Sequence, residues 1–555
     1  MGTRNESGAV RKTWHTQLRV ALVYPNTYRI GMSNLGFQHV YNILNTSENF
    51  LAERFFLEPP THQTNSTYQV LSEESSKTLR DFHVIAFSLP FENDYVNVPH
   101  LLKMGKIEPF ARNRSSYDPL VMSGGISVSM NPEPVASFMD FFYIGEMCDL
   151  HLPNNLFNRL AELAHKFGPE FNREKVKEVL VDCPGVYVPQ AYKFDYDDRG
   201  RIISVGVKDG YPSVVKAVKS DHKSCVIPKT LMTSPDAEFG QTCLVEINRG
   251  CSRMCRFCAA GWIHSPVRYR TMEKIRPVFE NAQNSGLRIG LVGSDLAGHP
   301  QLEEMISSIL LNDATFSLSS IRPEGLSQFM IDALAKTGQK TATIAPEVAS
   351  GRLKAVIGKQ IPSETFFQII AKLVEAGIPN VRLYFMIGLP TETDEDVHDI
   401  IKFVLDCRKV FVDCSRKKRR IGCLSVQINP FIPKPWTPFQ WSSVLDKRSL
   451  ETRIDILRKG LKNVSNLSLR IEYGKEFFLQ ALLSRCDRRL GERLLKAGPS
   501  KKWSFSALRR EGIDVDLTMF SQRSQDDIFP WDIVDHGIPK QVLWKVWTDS
   551  IKNSN

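Results

Sequence analysis

Arg249-Gly-Cys-Ser-Arg-Met-Cys-Arg-Phe-Cys-Ala-Ala-Gly261 is the stretch that decides the fold, because it carries Cys251, Cys255 and Cys258. Intervals of three and then two residues are short enough for one loop to bring all three thiolates to a single metal centre. No fourth cysteine follows closely enough to complete the set. A four-iron cluster held by three thiolates keeps one iron open, which a catalytic cluster needs and a plain electron carrier does not.

A zinc site and simple burial are the alternatives for these cysteines. His264 would complete a Cys3His set of four zinc ligands. Free cysteines also behave as small hydrophobic residues in protein cores. Arg253 and Arg256 argue against burial, because two charges within the triplet need solvent or an anion. The triplet alone leaves a catalytic cluster and a zinc site open, and its context must decide between them.

Composition sets broad limits on the class of protein. A chain of 555 residues predicts two or three domains. The net charge of +10 permits a polyanionic partner such as RNA without requiring one. No apolar run approaches a membrane span of about 18 residues, and the N-terminus does not resemble a secretory signal. Eleven cysteines, an odd number in a long chain, do not resemble a disulfide framework. We therefore expect a cytoplasmic protein with no membrane partner.

The N-terminal part alternates apolar runs with helical patterns. After a polar tail (1–15), this alternation predicts an α/β domain (16–170) with a doubly wound, Rossmann-like parallel sheet. Ligands of such sheets bind outside the carboxyl ends of the strands. The residues there are Ser88, Leu89, Gly124 and Gly125, although glycines at such places also simply permit turns. The predicted strands are 19–25, 83–90, 119–125 and 140–146, and the predicted helices include 34–45 and 95–105.

A β-hairpin linker region (171–235) follows, marked by short alternating runs around Asp197-Asp-Arg-Gly200. Six strand and helix units then predict a central partial (β/α)6 barrel of the TIM type (236–442). Chemistry in such barrels gathers at the carboxyl ends of the strands, and the cysteine loop follows the first strand. A zinc ribbon is not expected to follow the first strand of such a barrel. The C-terminal region (443–555) is expected to be mostly helical. The predicted barrel strands are 242–248, 288–293, 315–321, 341–346, 380–387 and 422–429.

The cysteine triplet, with Phe257 directly before the third cysteine, resembles the cluster motif of the radical S-adenosylmethionine (SAM) enzymes. The resemblance implies a [4Fe-4S] cluster on Cys251, Cys255 and Cys258, with SAM bound to the open iron. It implies reductive cleavage of SAM to a 5′-deoxyadenosyl radical, and an electron donor of the flavodoxin or ferredoxin type. Phe257 is then expected to pack on the adenine of SAM.

Further SAM contacts are implied at the end of the second and fifth barrel strands. Gly293-Ser294-Asp295 is similar to the Gly-Gly-Glu motif of the family, in which Asp295 would receive the SAM amino group. Gly388 ends the fifth strand, where a glycine lets the backbone approach adenine.

The loop after the fourth strand carries Glu347, Ser350 and Arg352. At that position Ser350 and Arg352 would meet the ribose and the carboxylate of SAM, with the arginine supplying a bidentate fork. Helix capping is the alternative, because Ser350 and the segment Thr391-Glu392-Thr393 would serve equally well as N-caps.

A wider resemblance covers most of the chain. Motifs in each region are similar to the uncharacterised radical SAM proteins with a fused N-terminal B12-binding-like domain. Cobalamin-dependent radical SAM enzymes and the methylthiotransferases that modify tRNA or a ribosomal protein are neighbouring groups, so cobalamin, an RNA or protein substrate, and methyl or sulfur transfer are implied. The motifs include Gly31-Met-Ser-Asn-Leu-Gly36, Asn131-Pro-Glu-Pro134, Phe385-Met-Ile-Gly-Leu-Pro390 and Ile432-Pro-Lys-Pro435.

The chain departs from these groups in two places. Typical cobalamin domains carry Asp-x-His-x-x-Gly, but 30–36 has no histidine, although Ser88, Leu89, Gly124 and Gly125 fit later cobalamin positions. A methylthiotransferase also needs three N-terminal cysteines for a second cluster. Cys148, Cys183 and Cys225 are widely spread, which disfavours that activity.

The leading hypothesis is therefore a radical SAM enzyme that modifies an unidentified substrate. Two other classes stay open: a non-catalytic iron-sulfur protein for electron transfer or sensing, and a zinc-stabilised RNA-binding scaffold.

Overall fold

A computed structural model describes residues 4–14, 18–58, 69–147, 155–167, 172–221, 225–319, 322–497 and 503–552. Cys148 and the last predicted residue of the third barrel strand, Ile321, lie outside these ranges. Contacts divide the chain into two compact units. The domain boundaries given above stay predictions. The first unit comprises Met1–Thr242, Leu482–Met519 and Asp526–Gly537, and the second comprises Cys243–Ala481, Phe520–Gln525 and Ile538–Asn555.

The first unit contains a six-stranded sheet in the order β2-β1-β3-β4-β5-β6. The first five strands pair in parallel, and β6 is antiparallel to β5. Their side chains are almost all buried, as expected for a parallel sheet that is covered on both faces. The predicted doubly wound sheet is confirmed, with β2 as an additional strand. The strands are β1 (Leu18–Tyr24), β2 (Phe50–Phe56), β3 (Val84–Ser88), β4 (Leu120–Gly124), β5 (Phe141–Tyr143) and β6 (Val186–Tyr187).

Short helices connect these strands, and a hairpin follows them. Asn34 caps α2 by accepting a hydrogen bond from the Phe37 amide. The hairpin strands β7 (Tyr192–Tyr196) and β8 (Ile202–Val207) pair in antiparallel fashion around the predicted turn, and β9 (Val215–Lys216) follows. The helices are α1 (Tyr28–Gly31), α2 (Leu35–Thr46), α3 (Val98–Met104), α4 (Ile126–Met130), α5 (Leu156–Phe167) and α6 (Arg173–Leu180).

The second unit holds two four-stranded sheets, in the orders β11-β10-β12-β13 and β14-β15-β16-β17. Strands β12 and β13 pair in parallel, as do β14 to β17, whereas β11 is antiparallel to β10. The predicted partial barrel is confirmed, with β11 and β17 as strands beyond the six expected. The strands are β10 (Thr242–Arg249), β11 (Arg268–Tyr269), β12 (Arg288–Gly293), β13 (Phe316–Leu318), β14 (Thr341–Glu347), β15 (Asn380–Ile387), β16 (Leu424–Pro430) and β17 (Leu467–Ile471).

Helices cover one face of these sheets, because alternate side chains of each strand are apolar. In β15, Leu383 and Phe385 are buried, and the Phe385 ring lies 5.9 Å from that of Phe403 in α13. Arg382 and Tyr384 point to the opposite face and are more exposed. The helices are α7 (Ala259–Ile263), α8 (Met272–Asn284), α9 (Leu302–Leu311), α10 (Gln328–Lys336), α11 (Gly351–Ile357), α12 (Ser363–Glu375), α13 (Asp394–Lys417), α14 (Lys447–Leu461) and α15 (Lys475–Arg485).

The C-terminal segment supplies elements to both units. In the first unit, α16 (Leu490–Ala497) and α17 (Phe505–Arg510) are followed by β18 (Val534–Asp535), which pairs with β9. In the second, the Trp547 ring of α18 (Lys540–Lys552) lies 5.6 Å from that of Phe439. Among the described helices, none combines the length and apolar character that crossing a membrane requires.

Candidate functional site

The cysteine loop leaves the carboxyl end of β10 and turns back on itself. Gly250 has φ +83°, and a Cβ atom there would lie 2.5 Å from the His264 carbonyl oxygen, so only glycine fits. The Trp262 indole donates a hydrogen bond of 3.0 Å to the carbonyl oxygen of Cys255. Arg256 donates to the Val356 carbonyl oxygen at 2.8 Å, which fastens the loop to α11. The loop is thus built from contacts within the barrel.

The three thiols act on one another electrostatically. The pKa of Cys255 is raised to about 11, chiefly by burial, and the charges of Cys258 and Cys251 contribute to that rise. Burial also raises the pKa of Cys258, and Cys251 adds to that shift. Metal binding must therefore displace thiol protons.

Among the described residues, no group of three or more His, Cys, Asp or Glu side chains is close enough to hold one metal ion. A zinc site draws all its ligands to one atom. An iron-sulfur cubane instead spreads its cysteines over separate irons, so three thiols on one loop within electrostatic reach suit that donor set.

Two cations that the sequence analysis missed lie beside the thiols. The guanidinium of Arg322 is 3.6 Å from the sulfur of Cys251. The charges of Lys359 and Arg322 both lower the pKa of Cys255 against the effect of burial. Arg322 follows the third barrel strand. A positive charge after a strand end is the sequence feature that could have identified it as a site residue. Both cations can offset the negative charge of thiolates.

Asp295 connects the end of β12 to the cysteine loop. It is buried, and its Oδ2 accepts hydrogen bonds from the Ser252 hydroxyl at 2.8 Å and the Tyr269 hydroxyl at 3.4 Å. A Cβ atom on Gly293 would lie 1.9 Å from the Asn248 side-chain oxygen, so this glycine permits β12 to approach β10. Ser294 is exposed. Asp295 therefore holds the loop, and its contact with the SAM amino group stays a prediction.

Glu347 ends β14 with φ +68° and is half-buried. The Lys359 ammonium donates to its Oε1 at 3.0 Å and to the Ala345 carbonyl oxygen at 2.6 Å. The charge of Glu347 raises the pKa of Cys258. Glu347 and Lys359 thus form an ion pair within electrostatic reach of the thiols.

Ser350 and Arg352 meet at Asp396. Ser350 caps α11 by accepting from the Leu353 amide at 3.2 Å, and its hydroxyl donates to Asp396 at 2.6 Å. Arg352 pairs with Asp396 and donates to the Thr391 carbonyl oxygen at 2.8 Å. The capping alternative is confirmed for Ser350, as it is for Thr393 at the start of α13. Contacts of Ser350 and Arg352 with SAM stay predictions.

Gly388 has φ +80°, and its amide donates to the Glu392 carboxylate at 2.8 Å. Arg453 of α14 donates to the same carboxylate oxygen at 2.8 Å. Burial nevertheless raises the pKa of Glu392 to about 7, because the desolvation of the carboxylate outweighs the effect of Arg453. Phe257 is half-buried in the cysteine loop.

Glu392 makes the stability of the second unit depend on pH. Its pKa is about 7 in the folded chain, against an ordinary value of 4.5, so the folded form holds the extra proton between these values. The contribution of Glu392 to stability is therefore largest below about pH 4.5 and falls as the pH rises to about 7. We expect E392Q to gain in melting temperature relative to the wild type as the pH rises from 5 to 7.5. A difference between the two melting temperatures that does not change with pH would contradict this assignment.

Two family models match the chain. Residues 36–189 match the model "Radical SAM proteins, N-terminal", and residues 245–404, which include the cysteine loop, match the radical SAM superfamily. The chain belongs to the radical SAM superfamily. This radical SAM protein is an enzyme whose cofactors are a [4Fe-4S] cluster and SAM, and enzymes of this kind need a reductant.

Several known proteins are similar to this radical SAM enzyme. An uncharacterized protein of Methanocaldococcus jannaschii is 27% identical over 480 residues, covering 86% of this chain and 90% of that protein. The ribosomal protein uS12 methylthiotransferase RimO of Pelotomaculum thermopropionicum is 26% identical over 195 residues, which cover 33% of this chain and 43% of that protein. Among solved structures, the radical SAM methyltransferase TsrM of Kitasatospora setae aligns with a TM-score of 0.47 at 12% identity, covering 90% of this chain and all of that one.

The residues predicted for a cobalamin domain lie together at the carboxyl ends of β3 and β4. Ser88 is opposite Gly124, and the Leu89 amide donates to the Gly124 carbonyl oxygen at 2.8 Å. Gly125 has φ +118°, and a Cβ atom there would lie 2.6 Å from the Leu89 carbonyl oxygen. These four residues are therefore packed against one another.

The loop after β1 offers no histidine to a cobalt ion. Met32 is buried there, and its sulfur accepts a hydrogen bond from Arg54 at 3.2 Å. The Asn26 amide donates to Asp94 at 2.7 Å, which joins the loops after β1 and β3. His39 is buried within α2. The residues present do not fit a histidine-ligated corrinoid, and cobalamin stays a candidate cofactor only.

The N-terminal cysteines do not assemble a second cluster among the described residues. Cys183 is buried in the hydrophobic core of the first unit. Cys225 is disulfide-bonded. Cys148 lies outside the described residues.

Proposed function

We propose that Cys251, Cys255 and Cys258 hold the [4Fe-4S] cluster and that the enzyme uses it to cleave SAM and modify a substrate. When bound and reduced, the cluster supplies the electron that converts SAM to methionine and a 5′-deoxyadenosyl radical. The observation that carries this proposal is the set of three thiols on one loop at the carboxyl end of the first barrel strand, each within the electrostatic reach of the others.

The other residues of the site support the loop and its charge. Asp295 holds the loop through Ser252, so the thiols are presented in one arrangement. Arg322 supplies positive charge beside Cys251. Phe257, Gly293, Ser294 and Gly388 are proposed to line the SAM site together with Asp295, Glu347, Ser350 and Arg352.

Methyl or sulfur transfer is proposed as the reaction, with an RNA or a protein as the substrate. The support is similarity to a ribosomal protein methylthiotransferase and to tRNA-2-methylthio-N(6)-dimethylallyladenosine synthase of Staphylococcus epidermidis, which is 26% identical over 178 residues. Sulfur transfer has the weaker support, because the described N-terminal cysteines supply no second cluster. A flavodoxin or ferredoxin is proposed as the electron donor.

Anaerobic reconstitution tests the central step. The full chain is loaded with iron and sulfide, reduced with dithionite and given SAM, and 5′-deoxyadenosine is measured by chromatography. We expect the molar amount of 5′-deoxyadenosine to exceed that of the enzyme. If the loaded cluster yields no 5′-deoxyadenosine and SAM does not change its electron paramagnetic resonance spectrum, the electron-transfer or sensing alternative is supported. One zinc and no iron in anaerobically purified protein would support the RNA-binding scaffold.

A further inference from the structure

The barrel wall is interrupted between β13 and β14. These strands belong to different sheets. At their amino ends, hydrogen bonds through side chains connect them in place of a backbone ladder. Arg288 donates to the Phe316 carbonyl oxygen of β13 at 2.7 Å and to the Gln339 side chain at 3.0 Å. Gln339 in turn donates to the Thr341 carbonyl oxygen of β14 at 2.9 Å. These hydrogen bonds form a bridge between the two strands at their amino ends only.

Beyond the bridge, a cavity of about 480 Å³ is bordered by both strands. Ala342 lies on one face of β14, together with Leu334 of α10 and Leu373 of α12. Thr343 lies on the other face, which is also that of Tyr384. The cavity therefore extends through the wall, from the helix layer to the inner face of the sheet. We name it the wall cavity, and the described residues that line it are Leu318, Ser319, Leu326, Leu334, Gln339, Thr341, Ala342, Thr343, Ala345, Glu347, Leu373 and Tyr384.

The wall cavity is apolar towards the helices and neutral elsewhere. Leu326, Leu334 and Leu373 are buried and form its outer part. Serine, threonine, glutamine and tyrosine side chains supply its hydrogen-bonding groups. Of the described lining residues only Glu347 is charged, and that charge is paired with Lys359. A phosphate or carboxylate that entered would lose its hydration without meeting an unpaired cation among the described lining residues, since Arg382, opposite Thr343 on β15, lies outside the lining.

The size of the wall cavity favours a ligand. Close-packed interiors contain few voids larger than a water molecule, whereas ligand pockets span about 300 to 1,000 Å³. Glu347, at the carboxyl end of β14, also lines it and lies within electrostatic reach of Cys258. A molecule held there would extend from the helix layer towards the cysteine loop.

We infer that the wall cavity holds the uncharged, largely apolar part of the substrate, an aliphatic or aromatic group, with any hydroxyl or amide directed to Thr343, Tyr384 and Glu347. The inference rests on the proposed function, because it treats the cavity as the substrate part of that site. It follows that no nucleic acid backbone enters the wall cavity, since polyanions bind through lysine and arginine.

A pair of fluorescent probes tests the charge preference. N-phenyl-1-naphthylamine is neutral, and 1-anilinonaphthalene-8-sulfonate is the same ring system with a sulfonate. With the full, cluster-loaded chain we expect the neutral probe to bind at one site and at least about tenfold more tightly than the anionic one. Equal or tighter binding of the anionic probe, or displacement of the neutral probe by a single-stranded RNA oligonucleotide, would overturn the inference.

Two substitutions locate the probe. A342F and T343L fill the cavity from opposite faces of β14, and each should weaken binding of the neutral probe at least about tenfold. The matched control is Q368F, which adds the same ring on an exposed position of α12. The inference fails if both cavity variants bind the probe as the wild type does.

Production of 5′-deoxyadenosine without substrate is measured on the same samples. We expect the control variant Q368F to keep it, because its ring lies on an exposed position of α12 away from the cavity and the cysteine loop. Loss of cluster from both cavity variants would show that the cavity serves only the packing of the barrel. Failure of the wild type to cleave SAM would refute the proposed function while leaving the result of probe binding intact, so the two failures are distinguishable.

Discussion

Replacement of Cys251, Cys255 or Cys258 with alanine is expected to abolish SAM cleavage. Each thiolate holds a different iron, so the loss of one opens a second corner of the cluster to solvent. We expect the iron and sulfide content to fall. Changes to the residues around a metal site typically cost 10- to 100-fold, and we expect the yield of 5′-deoxyadenosine to fall by more than that. Iron and sulfide analysis, electron paramagnetic resonance and chromatography on anaerobic samples measure these effects.

Cys423 provides the matched control for these variants. It is half-buried directly before β16, and its sulfur lies 3.9 Å from the Ser425 hydroxyl. C423A should keep its cluster and its activity. A triplet variant that cleaves SAM at the rate of C423A would refute the assignment of that cysteine as a ligand.

The second large effect is expected at Asp295. D295A removes the acceptor of the Ser252 hydroxyl and frees the cysteine loop from the end of β12. We expect cluster content after reconstitution to fall about tenfold or more, since residues that orient metal ligands act on this scale. S294A, on the exposed neighbouring residue, is the control for cluster content, which it should keep at the level of the wild type.

D295N separates the two roles of Asp295. Asparagine keeps an oxygen acceptor for Ser252 but loses the negative charge. If Asp295 also receives the SAM amino group, D295N should retain its cluster and show a higher KM for SAM. An unchanged KM would assign Asp295 to loop positioning alone, and a D295A protein with a full cluster would contradict that role as well.

Local patterns predicted much of the fold. The cysteine spacing and the barrel strands are properties of short segments, so they could be recognised without knowledge of the packing. Strand β2 was missed because Glu53 and Arg54 interrupt its apolar run, yet both are buried. Arg54 is paired with Glu6 and Glu74 at 2.6 Å each, and such distant partners cannot be inferred from spacing.

The same limit applies to the candidate site. Strand ends identified Asp295, Glu347 and Gly388 because barrels collect functional groups there. Lys359 was missed since it lies beyond α11, and only the fold brings its ammonium to Glu347. The pairing of Arg352 with Asp396 likewise joins the start of α11 to that of α13, which no pattern of residues reveals.

The return of the C-terminal segment to the first unit has a consequence for biosynthesis. Arg488 forms an ion pair of 2.6 Å with the buried Glu133, and β18 completes a ladder with β9. A ribosome makes about 5 to 20 residues per second and releases the N-terminus first. The N-terminal sheet therefore lacks the arginine partner of Glu133 until almost the whole chain has emerged. Premature termination after the barrel would leave this half unfinished, so truncated products should be targets for chaperones and proteases.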